Sequence, residues 1–260
     1  MNFARAIFLY FLVVNAVCVL IFLIPELKPL LSASYGNLDL ASIAKYYTSN
    51  FVHNNEEHLL GNLIVFNLVG IILYLICRNL DKERELFQSL LFMLVFLPLI
   101  NNLILFLMHS FASIQSCGLS TFVSAVVGLL IPASVGFLGF LDSFRRKLLW
   151  VSLILLTSSL ITFQYAGYFQ NVLSYMPPIA LFIVAFVLLS YVTKVSLPKS
   201  RKGKLRLVVF ALTIFVYFIA IYNLFPSDLI VGSGFINIVA HGVGLIYGMF
   251  TGYYTLRVWH

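Results

Sequence analysis

Charge is what this sequence most conspicuously lacks. Only 10% of its 260 residues are Asp, Glu, Lys or Arg, while 62% are hydrophobic. Soluble domains carry about a quarter charged residues. Water cannot solvate so apolar a surface, so lipid must. A mean hydropathy of +1.02 points the same way. Cysteine is scarce too: Cys18, Cys77 and Cys117 are odd in number, far apart and set in apolar sequence. They offer no disulfide framework and no Cys-x-x-Cys metal knuckle, and read as small buried hydrophobes. Internal repeats and low-complexity tracts are absent.

What the sequence has instead is long apolar runs. A bilayer core needs about 20 apolar residues per helix. Such runs occur near 4–24, 58–77, 86–108, 117–141, 148–168, 176–193, 205–225 and 235–256. The first is too long for the h-region of a signal peptide and no A-x-A site follows it, so it reads as a retained transmembrane helix. The run 117–141 is diluted by Ser and Gly, and 176–193 opens on Pro177-Pro178, which a first helical turn tolerates. The expectation is an all-α polytopic membrane protein of eight transmembrane helices, forming a single domain over 1–260.

The net charge of +7 tests that count. With the N-terminus cytoplasmic, 14 of the 16 Lys and Arg fall in inside segments, and only Lys28 and Lys45 fall outside. Short cytoplasmic loops hold such an excess. Eight spans with both termini cytoplasmic therefore fit, and the positive charge is a topology signal. It does not mark a nucleic-acid binder. The run 194–206 is a topogenic loop that can also touch anionic headgroups. The outside connection 25–57 is sparsely apolar, and part of it is expected in the membrane interface.

Polar groups at membrane depth are costly and mark candidate sites. Three clusters stand out. In the stretch FVHNNEEHLLGNL (51–63), His58 and Asn62 share a helix face, whereas His53 diverges from His58 if the segment is helical throughout. Zinc motifs need H-E-x-x-H or H-x-x-E-H. HNNEEH is one residue too long, so no metal or other cofactor is expected. Glu56 and Glu57 suit a helix N-terminus. In the second cluster, Ser116, Ser120 and Ser124 stack on one face behind Gly118. Membrane serines commonly back-bond to the preceding turn. In the third, His241 lies about six residues below the outer end of the last span, with Gly244 and Gly248 on its stripe, a close-packing G-x-x-x-G face. All three helices run outside to inside. Their polar residues therefore share one slab just below the outer surface and form the part list for acyl transfer.

These residues resemble the motifs of the rhomboid intramembrane serine proteases. His53, His58 and Asn62 match the family's H-x4-H-x3-N, and Gly118-Leu119-Ser120 its G-x-S. Ala240, His241, Gly244 and Gly248 match its A-H-x2-G-x3-G. The resemblance covers about 45–140 and 205–256. It implies a six-helix rhomboid-like core (about 4–24, 58–77, 86–108, 117–141, 205–225 and 235–256), with about 148–193 as an inserted helical hairpin. It implies Ser120 as nucleophile and His241 as general base, a dyad without an orienting carboxylate. His58 and Asn62 would stabilise the oxyanion with the Ser120 N–H. His53, Gly118, Gly244 and Gly248 would be structural. Partners would be transmembrane protein substrates and membrane lipids, in the cell membrane, with the site opening to the extracytoplasmic side. Four features depart from the family. Thr121 stands where glycine is common, Ser124 where a tyrosine often packs on the histidine, the Trp-Arg pair of the first outer loop is missing, and three helices separate the serine and histidine helices instead of one.

Two other functions compete. A rhomboid-like pseudoprotease would bind transmembrane segments without cutting them. A transporter would use Asn101, Asn102 and His109, but no acidic residue lies at the midplane where transporter sites occur.

Overall fold

The structure, a computed structural model, describes residues 2–34, 40–108, 115–116, 118–169, 171–194, 198–226, 230–231, 234–235 and 237–256; Cys117 and His109 lie outside them. In lipid every backbone polar group needs an internal partner, which selects helices. Among the described residues ten α-helices form: α1 (Phe3–Leu23), α2 (Leu27–Leu31), α3 (Leu40–Thr48), α4 (Glu56–Asn79), α5 (Glu83–Met108), α6 (Ser120–Phe137), α7 (Ser143–Ala166), α8 (Met176–Thr193), α9 (Arg201–Leu224) and α10 (Ile238–Thr255). The extended structure among the described residues is two antiparallel pairings of two residues each. Ala33–Ser34 pairs with Gln115–Ser116, and Ile230–Val231 with Gly234–Phe235.

Among the described residues, seven helices, α1 and α4 to α9, are long and apolar enough to cross a membrane. The chain is an all-α polytopic membrane protein. The eighth expected span, α10, is an 18-residue helix, about 27 Å long, but its His, Gly and Tyr residues make it less apolar than the other seven. Helix starts follow local chemistry. Asn55, Asp142, Ser200 and Asn237 each turn a side-chain oxygen to the third N–H of the following helix, satisfying a donor that has no helical partner.

The helices fall into two compact units. The first holds α1 to α5, α6 as far as Leu129, and α10. Here α1 runs antiparallel to α4. Asn15 and Asn67 exchange amide hydrogen bonds at 2.8 and 3.2 Å, and the Phe11 ring fills the space left by Gly70. A tight turn at Leu80–Lys82 reverses the chain into α5. Pro98 sits inside α5 and cannot donate to the Leu94 carbonyl one turn back; the Tyr47 hydroxyl donates to that carbonyl instead, at 2.9 Å. Helix α10 returns antiparallel to α5, joined by Ser89 with Thr255 and by the Tyr247 hydroxyl donating to the Phe92 carbonyl at 3.2 Å.

In the second unit α7 and α8 form an antiparallel hairpin. The Ser159 hydroxyl donates to the Pro178 carbonyl at 2.8 Å, and the Phe163 and Tyr175 rings meet edge to face. Helix α9 runs in the direction of α7, held by Thr157 with Tyr217 (2.9 Å) and by Tyr165 donating to the Pro226 carbonyl (3.1 Å). Phe182, Phe186 and Val187 of α8 are exposed, as befits side chains facing lipid.

Candidate active site

The first unit brings together the residues that the motifs single out. Residues 52–55 are not helical, and α4 begins only at Glu56. The expected divergence of the two imidazoles therefore does not occur: the rings of His53 and His58 meet edge to face, 5.1 Å between centroids. Asn55 caps α4 by accepting the His58 N–H at 2.8 Å. Glu56 and Glu57 lie exposed in the first turn, where negative charge complements the helix dipole.

His53 is wholly buried. Its Nε2 accepts the Leu119 N–H at 3.3 Å and lies 3.2 Å from Asn62 Nδ2. A backbone N–H can only donate, so this nitrogen carries the lone pair and Asn62 donates to it as well. The proton then sits on Nδ1. Burial pushes the His53 pKa down to about 3, with the neighbouring His58 adding to the effect. His53 thus stays neutral and holds the N-terminal turns of α4 and α6 to one another. It reaches the backbone immediately before Ser120. Asn62, expected at the oxyanion, directs one amide N–H to His53; an amide has a second.

Gly118 adopts φ +114°, a backbone that side chains resist, and donates to the Ser49 carbonyl at 3.0 Å. A Cβ at this position would lie 2.6 Å from Cε1 of His58. The half-buried His58 ring therefore packs against bare backbone. Leu119 caps α6 by accepting the Val123 N–H at 3.0 Å. The four N–H groups that open a helix have no acceptor within it. His53 takes that of Leu119, and Ser120 carries the next. Ser120 is 9% exposed and His241 8%. The Ser124 hydroxyl back-bonds to the Ser120 carbonyl at 2.8 Å, the ordinary membrane-serine arrangement.

Helices α6 and α10 touch backbone to backbone. A Cβ on Gly244 would overlap the Thr121 carbonyl, and one on Gly248 the Ala125 carbonyl. A four-residue step on one helix thus matches a four-residue step on the other in the same sense, so the two run parallel. Helix α5 opposes both α4 and α10, which makes α4, α6 and α10 codirectional. Ser120 precedes Thr121 by one residue and His241 precedes Gly244 by three, so their α-carbons differ in height by about 3 Å. His241 lies nearer the start of its helix than expected, because α10 begins at Ile238 and makes it the fourth residue. Among the described residues no three His, Cys, Asp or Glu side chains gather to hold a metal ion.

The sequence reading missed the supporting shell. Asn50 donates to the Tyr46 carbonyl at 3.0 Å, and Asn102 reaches both that carbonyl and the Pro98 carbonyl. These amides fix the α3 end against α5, next to the Ser49 carbonyl that holds Gly118. Their signal was present as polar residues in apolar context, but their partners are backbone atoms, which no side-chain pattern announces. Comparison of the chain with protein-family models, with curated proteins and with solved structures finds no match in any of the three.

Proposed function

We propose that the chain is a rhomboid-like serine intramembrane endopeptidase that cleaves transmembrane segments. The observation that carries this reading is the glycine stripe of α10 against the α6 backbone. It brings a buried histidine and a buried serine to one height on parallel helices. In the proposed reaction His241 accepts the Ser120 hydroxyl proton while Oγ attacks the scissile carbonyl. The tetrahedral oxyanion forms at the α6 N-terminus, where the Ser120 N–H and His58 are donors, with the second N–H of Asn62 available. The C–N bond then breaks, the proton passes to the leaving amine, and water hydrolyses the acyl-enzyme. The site lies at the entry ends of its helices, so water can reach it from the membrane surface. The asymmetry of Lys and Arg supports assigning that surface to the extracytoplasmic side of the cell membrane. Substrates would be helices able to unwind near that surface, because an intact helix hides its carbonyls.

Covalent labelling by a fluorophosphonate, in protein reconstituted into liposomes, tests the reading. Wild type is expected to label and Ser120→Ala is not. A wild type that does not label but retains transmembrane segments on co-purification would establish the binding-only alternative instead.

A further inference from the structure

Between α1 and α4 the first unit leaves an open groove of about 420 Å³. Ala4, Phe8 and Leu12 line it from α1, Ile71 and Tyr74 from α4, and the Asn15–Asn67 amide pair stands at one end. Phe8, Leu12 and Ile71 are exposed, so the groove opens to whatever surrounds the two helices. From Ala4 to Asn15 it runs about 16 Å. That is the depth of one leaflet, half of a hydrocarbon core about 30 Å thick. A methylene group takes up about the liquid volume of a water molecule, roughly 30 Å³, so the groove holds on the order of 14 of them.

The other end carries positive charge. Arg78 continues the α4 stripe of Asn67, Ile71 and Tyr74. Its guanidinium donates to the Tyr74 hydroxyl at 3.3 Å and lies 6.0 Å from the centre of that ring. On α1, Arg5 continues the stripe of Phe8 and Leu12. The contacts of Asn15 with Asn67 and of Phe11 with Gly70 set the antiparallel register. Carried toward the start of α1, that register brings Arg5 and Arg78 to within about one turn of each other. Both are exposed, and among the described residues neither pairs with a carboxylate. In the turn beyond, Lys82 and Arg84 alternate with Asp81, Glu83 and Glu85, and Lys82 donates to Glu85 at 3.0 Å. The charge left without compensation at this end is that of Arg5 and Arg78.

We infer that this groove is a lipid site: one acyl chain of an anionic phospholipid lies between α1 and α4, with its phosphate on Arg5 and Arg78. The length of the groove matches a leaflet, and its apolar walls suit a hydrocarbon chain. The amides at its end hydrogen-bond to each other and ask nothing of that chain. Guanidinium groups match phosphate geometry and form charge-assisted hydrogen bonds with it. A second copy of the chain fits less well. Membrane helices meet over small residues, whereas Phe8, Leu12 and Ile71 are bulky and exposed. An apolar helix would also leave both guanidinium groups without a counter-charge. The lipid belongs to the leaflet at which α1 begins. The Lys and Arg asymmetry supports that leaflet as the cytoplasmic one, where anionic lipids collect. The site does not depend on the protease reading.

Photocrosslinking tests it. Benzoylphenylalanine is placed at Phe8, and the chain is reconstituted into equimolar phosphatidylglycerol and phosphatidylcholine. After irradiation the adducts are identified by mass spectrometry. The same photoreactive residue at Phe186, exposed on α8, reports the surrounding bulk lipid. The ratio of phosphatidylglycerol to phosphatidylcholine adducts at Phe8 should exceed that at Phe186 by about 5-fold or more. Arg78→Gln should lower the Phe8 ratio about 5-fold, the contribution of one cation at a membrane surface. Arg84→Gln removes the same charge from outside the groove walls and should leave the ratio unchanged. Equal ratios at Phe8 and Phe186, or equal losses in Arg78→Gln and Arg84→Gln, mean ordinary boundary lipid and overturn the inference. Adducts of Phe8 to a second copy of the chain in place of lipid overturn it as well. The comparison of Phe8 with Phe186 still decides if Arg78→Gln does not fold.

Discussion

At the residue scale, His53 and Gly118 hold the start of α6 in place. His53 is neutral because burial holds its pKa near 3, far below the ordinary 6.5 or so. Above pH 6.5 neither the folded nor the unfolded chain protonates this ring, so its ionisation leaves stability unchanged there. Between about pH 6.5 and pH 3 the unfolded chain takes up a proton that the folded chain refuses, and stability falls as pH falls. His53→Gln should flatten the decline of melting temperature over that window, as differential scanning in detergent would register. An identical pH profile in the variant would contradict the buried neutral ring. Gly118→Ala combines a disfavoured backbone with a methyl group in the His58 ring. Its labelling rate should drop by about 10²-fold, the range for a lost oxyanion donor, measurable by time-resolved fluorophosphonate reaction.

At the element scale, the contact between α6 and α10 dominates. Gly244 and Gly248 are absent side chains that let two backbones touch. Gly248→Ala cannot be absorbed by a rotamer change, because the obstacle is the Ala125 carbonyl. It should cost about 1–3 kcal/mol of stability, read as a lower unfolding midpoint, and should separate Ser120 from His241 enough to slow labelling. The helices themselves were legible from hydropathy, because lipid forces every apolar run of sufficient length into a helix, and their ends lie within a few residues of expectation. The non-helical break at 52–55 was not legible. It depends on the Asn55 cap and on where Glu56 begins the helix, and it alone lets His53 meet His58. Nor did any spacing announce that His53 would take the Leu119 N–H, since the partner is backbone sixty-six residues away.

At the scale of the whole molecule, the seven helices among the described residues that are long and apolar enough to span give a polytopic membrane protein, and the distribution of Lys and Arg is the ground for its proposed direction. With both termini cytoplasmic, Lys45→Cys should react with a membrane-impermeant maleimide on intact cells and Lys202→Cys only after permeabilisation. The reverse pattern would invert the topology and turn the proposed site toward the cytoplasm. The motif residues were legible as three short patterns scattered over some 190 residues. That they assemble follows from three codirectional helices, a property of topology that loop charge already implied.

The most direct test of the central claim is fluorophosphonate labelling of liposome-reconstituted wild type, Ser120→Ala and His241→Ala, with the labelled residue located by mass spectrometry. A single adduct on Ser120 is expected in wild type, none in Ser120→Ala, and labelling slowed by about 10³-fold or more in His241→Ala. Undiminished labelling of Ser120→Ala, or labelling indifferent to His241, would contradict it.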